Sequence, residues 1–200
     1  FPLRPLFRFV CSLSTLVPGI NKPLSIDFYT FLIAALTRFV QSHSLLVGGT
    51  LNGNATVKNI QTQPTCTTDL TVNDLSVYKD KLGNLTAKVN NNIANQYNAD
   101  LRLTGRGNEV NLTGIYFVKP QNKSIYDLNL DIVALQMKSL EGFTKGSIKD
   151  SRGNLFGKVA FKGTLDNPNI DGKINFNNTA FTVTALNSVF KVDKEAIAIV

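Results

Sequence analysis

Hydrophobic and polar residues alternate with a period of two along most of the chain after Gly48. In residues 97–104 every second side chain is apolar, and the residues between them are Asn, Asp, Arg and Thr. Residues 126–132 and 155–165 repeat the pattern. A strand of this kind has one apolar face and one wet face. About ten such strands are predicted, with apolar-face candidates Leu51, Ala55, Val57, Leu85, Val89, Tyr97, Leu101, Leu103, Tyr126, Leu128, Leu130, Ile132, Leu155, Val159, Phe161, Leu165, Ile174 and Phe176.

Turn chemistry separates the alternating runs. Residues 105–108 (GRGN), 119–122 (KPQN) and 166–169 (DNPN) combine Gly, Pro, Asn and Asp. A short helical turn is expected near residues 139–143. Strands joined in this way can close as a sandwich, a barrel or an open sheet, and periodicity alone does not choose between them. Glycines in phase with the apolar positions favour a strongly curved sheet.

Residues 1–47 differ in composition from the rest of the chain. Prolines at positions 2, 5, 18 and 23 predict irregular or short extended structure over residues 1–23. Ser25 can then cap a helix over roughly 25–42, because apolar residues recur there at spacings of three and four. The predicted division is therefore an N-terminal segment, 1–47, with one helix, followed by a β-sheet segment, 48–200.

Charge and candidate chemistry argue against an enzyme. The net charge is +7, but the bases are dispersed, which disfavours a nucleic-acid groove. The single histidine, His43, has no second ligand at metal spacing, so neither a metal nor a cofactor is expected. Cys11 and Cys66 can form one disulfide or remain two buried or half-buried thiols. The apolar stretch 24–40 contains Asp27 and Arg38 and falls short of the ~20 residues that a membrane span needs.

A repeated phrase carries the most specific signal. Residues 49–57 read G-x-L-x-G-x-A-x-V, and residues 153–161 read G-x-L-x-G-x-V-x-F. The second copy continues through G-T-L-x-x-P at 163–168 into a return strand ending at Phe176. Over residues 45–200 this resembles the translocation and assembly module family TamB, within the AsmA-like group, and especially its Asn-rich Bacteroidota type. The family-motif turn residues would be Gly153, Gly157, Gly163, Pro168 and Gly172.

The resemblance implies a fold, a function and a location. The fold would be a long, curved, taco-like sheet of about ten amphipathic strands with an apolar concave face. The family's proposed function is to carry phospholipid through this groove between the inner and outer membranes, and to assist outer-membrane protein assembly and secretion. The implied partners are phospholipid acyl chains and an outer-membrane assembly protein of the BamA or TamA type. The parent protein would lie in the periplasm of a Gram-negative bacterium, anchored in the inner membrane outside this segment.

Two other functions fit the same pattern. The chain can be a structural or adhesive β-sandwich module of a surface protein, in which a second sheet covers the apolar face and leaves no groove. It can also be an assembly factor whose exposed strand edges template a client strand. Because the chain begins at Phe1, we expect it to be part of a longer protein.

Overall fold

The computed structural model describes residues 23–34, 46–59, 64–78, 80–93, 95–119, 124–193 and 195–199. Most of these residues lie in eleven β-strands, which all belong to one antiparallel sheet. The strands are β1 (Leu24–Leu32), β2 (Val47–Lys58), β3 (Thr65–Val77), β4 (Asp80–Ile93), β5 (Gln96–Gly105), β6 (Asn108–Phe117), β7 (Ile125–Gln136), β8 (Ile148–Gly163), β9 (Pro168–Val183), β10 (Ser188–Val192) and β11 (Ala196–Ile199).

The order of the strands in the sheet follows their order in the sequence from β1 to β10. Strand β10 pairs with residues 179–183 of β9, and β11 pairs with residues 172–175 of the same strand. Two short 3₁₀ helices interrupt the series, η1 (Met137–Thr144) between β7 and β8, and η2 (Thr184–Leu186) between β9 and β10. The predicted all-β, curved sheet with an apolar concave face is confirmed.

Successive strand ends define two rims. The upper rim carries the end of β3, the start of β4, the β5–β6 turn and η1; the lower rim carries the start of β5, the end of β6 and the start of β7. The β5–β6 turn has Arg106 and Gly107 at φ of 56° and 78°, between the paired residues Gly105 and Asn108. Positive φ at both central residues is the two-residue hairpin geometry that suits twisted strands, so the turn predicted at 105–108 is confirmed.

Bulges bend the strands along a line near the upper rim. The register shifts between Phe28 and Phe31 in β1, between Val72 and Leu75 in β3, and between Ile132 and Leu135 in β7. The register of β2 with β3 shifts at the same β3 bulge, and other shifts lie nearer the upper end of β8 and near the lower end of β4. Each bulge adds a residue to one strand and increases its local bend and twist. The bulges of β1, β3 and β7 near the upper rim therefore contribute to the curvature of the sheet.

Glycine also permits close strand packing on the concave face. Gly53 has φ of 119°, and a Cβ there would collide with the carbonyl oxygen of Asp69 on β3. Side chains are excluded from such a position by both conformation and space. The glycines that alternate in phase with the apolar positions therefore allow neighbouring strands to approach closely on the concave face.

The predicted helix over 25–42 is wrong over its first part. Residues Leu24–Leu32 form strand β1, and helical conformation begins only at Ile33 and Ala34. The bulge between Phe28 and Phe31 explains the error, because an added residue gives two same-face side chains the spacing of three that a helix would produce. The remainder, residues 35–42, lies outside the described residues, as do residues 1–22.

The predictions for the short helical turn, for Leu165 and for the motif glycines have different outcomes. The helical turn expected near 139–143 is confirmed as η1. The β8–β9 turn occupies 164–167, so Leu165 lies in a turn, 80% exposed, rather than on the apolar face. Among the motif residues named as turn positions, Gly153, Gly157 and Gly172 lie inside strands, while Gly163 and Pro168 flank the turn.

We expect Gly53→Ala to lower the free energy of unfolding by about 2–4 kcal/mol, because it adds backbone strain and a collision with the next strand. The matched control is Gly146→Ala. Gly146 also has a positive φ, 86°, but no heavy atom lies within 4 Å of an added Cβ. Its cost should therefore stay near ~1 kcal/mol. Urea titration of both variants compares the costs, and equal losses would show that strand proximity contributes nothing.

Candidate hydrophobic groove

Apolar side chains on the concave face align across the sheet in lateral rows. The register places Cα partners side by side, so each row can be followed from strand to strand. The first row contains Phe31, Leu51, Val72, Leu85, Leu103, Val110, Ile132, Gly157, Ile174 and Ile197. The second row contains Phe28, Gly53, Leu70, Ala87, Leu101, Leu112, Leu130, Val159, Gly172 and Ile199. Neither row contains a polar side chain.

A third row lies nearer the lower rim. It contains Ile26, Ala55, Thr68, Val89, Ala99, Gly114, Leu128, Phe161 and Ile170. Its one polar member, Thr68, uses its hydroxyl to accept a hydrogen bond from the Val89 backbone N–H at 3.1 Å. The three rows form what we call the groove floor. At ~4.8 Å between strands, the ten strands of the first two rows extend about 45 Å.

The groove floor is open to solvent in the described part of the chain. All the described strands share one sheet, so no second sheet of these residues covers the floor. Nine apolar residues in the described ranges are buried, among them Leu51, Val72, Ile132 and Val159 of the floor, whereas the leucines at the centre of the floor on β5, β6 and β7 are only half-buried. Core residues between two layers would be almost fully buried. The floor is therefore the face of a single layer.

The opposite, convex face is polar and solvated. Three ion pairs cross it between directly opposed residues on neighbouring strands: Asp69–Lys88 at 3.2 Å, Asp131–Lys158 at 2.9 Å and Asp127–Lys162 at 3.4 Å. Their side chains are between 41% and 81% exposed. Exposed ion pairs of this kind contribute ~0–1 kcal/mol each to the free energy of unfolding. They therefore indicate that this face is solvated, and they add little to its stability.

Helix η1 packs over the upper rim. The Asn108 side chain, 3% exposed, donates to the Leu82 carbonyl at 2.7 Å and to Ser139 Oγ of η1 at 2.9 Å. Its Oδ1 accepts from the Gln136 backbone N–H at 2.8 Å. Gly142 of η1 lies so close to the Val77 carbonyl that no side chain fits there. Through these contacts η1 covers the rim from β7 back to the end of β3.

The lower rim has a different composition. Tyr97, Tyr116 and Tyr126 lie directly opposite one another on β5, β6 and β7, in phase with the groove floor. We call these three residues the tyrosine row. On the β3 side of the row, the buried Asn91 accepts a hydrogen bond from the Cys66 N–H and donates one to the Pro64 carbonyl at 2.9 Å. The groove floor thus ends at amphipathic and polar side chains on this rim.

The predicted apolar-face residues, apart from Leu165, lie in phase on the concave side of their strands. The groove also contains residues that sequence reasoning missed, chiefly Leu70 and Val72 on β3, and Val110 and Leu112 on β6. Alternation in both segments, Leu70-Thr-Val72 and Val110-Asn-Leu112, could have revealed them. The network centred on Asn108 had no signal in the sequence, since a turn asparagine usually faces solvent.

Cys66 is a half-buried free thiol, and Cys11 and His43 lie outside the described residues. Within the described ranges, no three or more His, Cys, Asp or Glu residues are grouped so as to hold a metal ion. No helix in those ranges is long and apolar enough to cross a membrane. Comparison of the chain with protein-family models, with curated proteins and with solved structures gave no match.

We expect Asn108→Ala to lower the free energy of unfolding by about 2–3 kcal/mol, because the Leu82 carbonyl and the Gln136 N–H lose a buried partner. Amide exchange at Gln136 should accelerate as η1 detaches from the rim. The control, Asn129→Ala, removes an exposed convex-face amide and should change stability by less than ~0.5 kcal/mol. Unchanged exchange at Gln136 in the Asn108 variant would contradict the role given to this network.

Proposed function

We propose that the chain is one stretch of a TamB-like groove that carries phospholipid across the bacterial envelope. The parent protein would be anchored in the inner membrane and cross the periplasm. An outer-membrane assembly protein of the BamA or TamA type would be its partner, and assistance to outer-membrane protein assembly and secretion would be a related role. The groove would act by binding and guiding lipid, without a catalytic step.

The continuity of the groove floor is the observation that carries this proposal. Two rows without a polar side chain cross ten strands, on a face that no described layer covers. Moving an acyl chain from water onto such a surface is worth ~0.8 kcal/mol per buried CH₂. Because neighbouring positions in a row are equivalent, a chain can move along the row without meeting a polar barrier.

The two alternative functions have less support. An adhesive sandwich needs a second layer over the groove floor, and the described strands supply none. A strand-templating factor needs a long, regular free edge. The edge of the sheet beyond β9 consists of β10, five residues long, and β11, four residues long. The opposite described edge is β1, which is nine residues long and is interrupted by the bulge between Phe28 and Phe31. Short edge strands and bulges are common devices against strand addition, so both edges are poor templates.

A charge placed on the groove floor tests the proposal. Leu130 lies half-buried in the second row, and its neighbour Asn129 points to the convex face. On an open floor the Arg of Leu130→Arg stays hydrated, so the sheet should keep its melting temperature within a few degrees. The affinity for a fluorescent fatty acid should nevertheless fall at least ~10-fold, equal to ~1.4 kcal/mol, because bound chains would have to pass a charge. Asn129→Arg should leave the affinity unchanged.

Other outcomes separate the alternatives. If Leu130→Arg unfolds the chain, the floor is a closed core and the sandwich function is favoured, because an unpaired buried charge costs several kcal/mol. If a folded, monomeric wild-type chain binds neither the fatty acid nor phospholipid from vesicles, the lipid function is wrong.

A further inference from the structure

We propose that the upper rim contains a subsite for the phosphate of an anionic phospholipid headgroup, in a cavity between the start of β4, the β5–β6 turn and the start of η1. This inference rests on the proposed lipid function and adds charge selectivity to it. The groove floor would bind the acyl chains of a lipid, and the cavity would favour lipids whose headgroup carries a net negative charge.

The cavity is formed by segments that lie far apart in the sequence. Its volume is about 400 Å³, within the range that small-molecule sites occupy. Antiparallel pairing places the start of β4 beside the β5–β6 turn, and the hydrogen bonds between Asn108 and Ser139 hold η1 against that turn. The fold therefore brings together the side chains that line the cavity, which are Asp80, Lys81, Arg106, Gln136, Lys138 and Ser139.

Cations outnumber carboxylates in the lining of this cavity. Lys81 and Lys138 are exposed, and neither forms an ion pair with a described residue. Arg106 Nη2 lies 3.7 Å from Asp74 Oδ1, which is longer than a hydrogen bond, so the guanidinium donors remain available to a ligand. Asp80 is the one carboxylate in the lining. Three positive side chains around one negative side chain create a local field that attracts an anion.

The neutral groups of the lining include one free donor. The Gln136 side-chain amide lies against Gly107 and has no hydrogen-bond partner among the described residues. By contrast, Ser139 Oγ is already engaged with the Asn108 side chain. Phosphate oxygens accept several hydrogen bonds at once, and Arg and Lys are the usual phosphate-binding side chains in proteins. The cations, together with the Gln136 amide, therefore match the chemistry of a phosphate group.

A second cavity at the upper rim, of about 520 Å³, shares Asp80 with the first but has no such surplus of positive charge. Lys145 and Lys149 line it, and so do Asp80 and Glu141, so cations and carboxylates are equal in number there. The lysines of both cavities add to the attraction of an anion toward this rim. The surplus of positive charge, however, lies in the first cavity, which is therefore the better phosphate site.

The first cavity lies close to the upper end of the groove floor. Arg106 follows Leu103 of the first row by three residues, which is about 10 Å along an extended chain. Gln136 follows Ile132 of the same row on β7, beyond the bulge. A lipid phosphate in the cavity would therefore lie beside the row on which its acyl chains bind. A free phosphate ion would gain nothing from that row, so the position favours a lipid as the ligand.

Charge reversal at the two unpaired lysines tests the subsite. We expect Lys81→Glu/Lys138→Glu to lower the affinity for dihexanoylphosphatidylglycerol at least ~10-fold, because two charge-assisted hydrogen bonds are replaced by repulsion. The affinity for dihexanoylphosphatidylcholine, whose headgroup has no net charge, should fall less than ~3-fold. Isothermal titration calorimetry with monomeric lipid measures both affinities. The control, Lys58→Glu/Lys173→Glu, makes the same change in net charge at exposed convex-face positions and should leave both affinities within ~2-fold.

Several results would overturn the subsite while leaving lipid binding intact. These are an unchanged affinity of Lys81→Glu/Lys138→Glu for the phosphatidylglycerol, an equal loss for both lipids, or an equal loss in the convex-face control. If inorganic phosphate binds the wild-type chain as tightly as the phosphatidylglycerol does, the cavity is a site for free phosphate and the lipid assignment is wrong. Lys81→Gln/Lys138→Gln, with the same selectivity expected, replaces the charge reversal if that variant does not fold. If the folded wild-type chain binds neither lipid, the proposed lipid function fails together with this inference.

Discussion

In-register antiparallel pairing is the constraint on which the molecule depends. Side chains in a strand alternate between faces, so a slip of one residue in any hairpin would move its apolar residues to the wet face. The pairs Leu101–Leu112 and Leu112–Leu130 keep the groove floor continuous across the middle of the sheet. On the convex face, oppositely charged cross-strand pairs such as Asp131–Lys158 favour the same register, because a slip of one residue would separate the two charges. The two faces therefore specify one alignment together.

The strands were largely predictable because period-two alternation is local information. The alternation within β7 alone places Leu128 and Leu130 on the same face of the sheet, whichever strands pair with β7. The bulges were not predictable in the same way, because they depend on how two strands fit together. Phe28 and Phe31, three residues apart, share a face only because a bulge lies between them. Val72 and Leu75, and likewise Ile132 and Leu135, flank bulges with the same spacing.

The candidate site was predictable only in part. The groove floor follows from the alternation, so most of its members could be named from the sequence. The two rims could not be distinguished, since the sequence does not show that η1 folds back to the end of β3. The tyrosine row also requires knowledge of register, because Tyr97, Tyr116 and Tyr126 become neighbours only when β5, β6 and β7 are aligned. Long-range geometry thus determines where the apolar surface ends.

Strand order along the sheet equals strand order along the chain, and this has a consequence for folding and evolution. From β1 to β10 each strand pairs only with the strands before and after it, as the units of a solenoid do, although η1 also reaches back to the end of β3. Stability therefore approximates a sum of hairpin terms and nearest-neighbour terms, with η1 as an added longer-range term. Formation can start at any hairpin and spread outward through short loop closures. Gain or loss of a whole hairpin would lengthen or shorten the sheet while leaving the remaining pairings intact, so length can change without redesign of the fold.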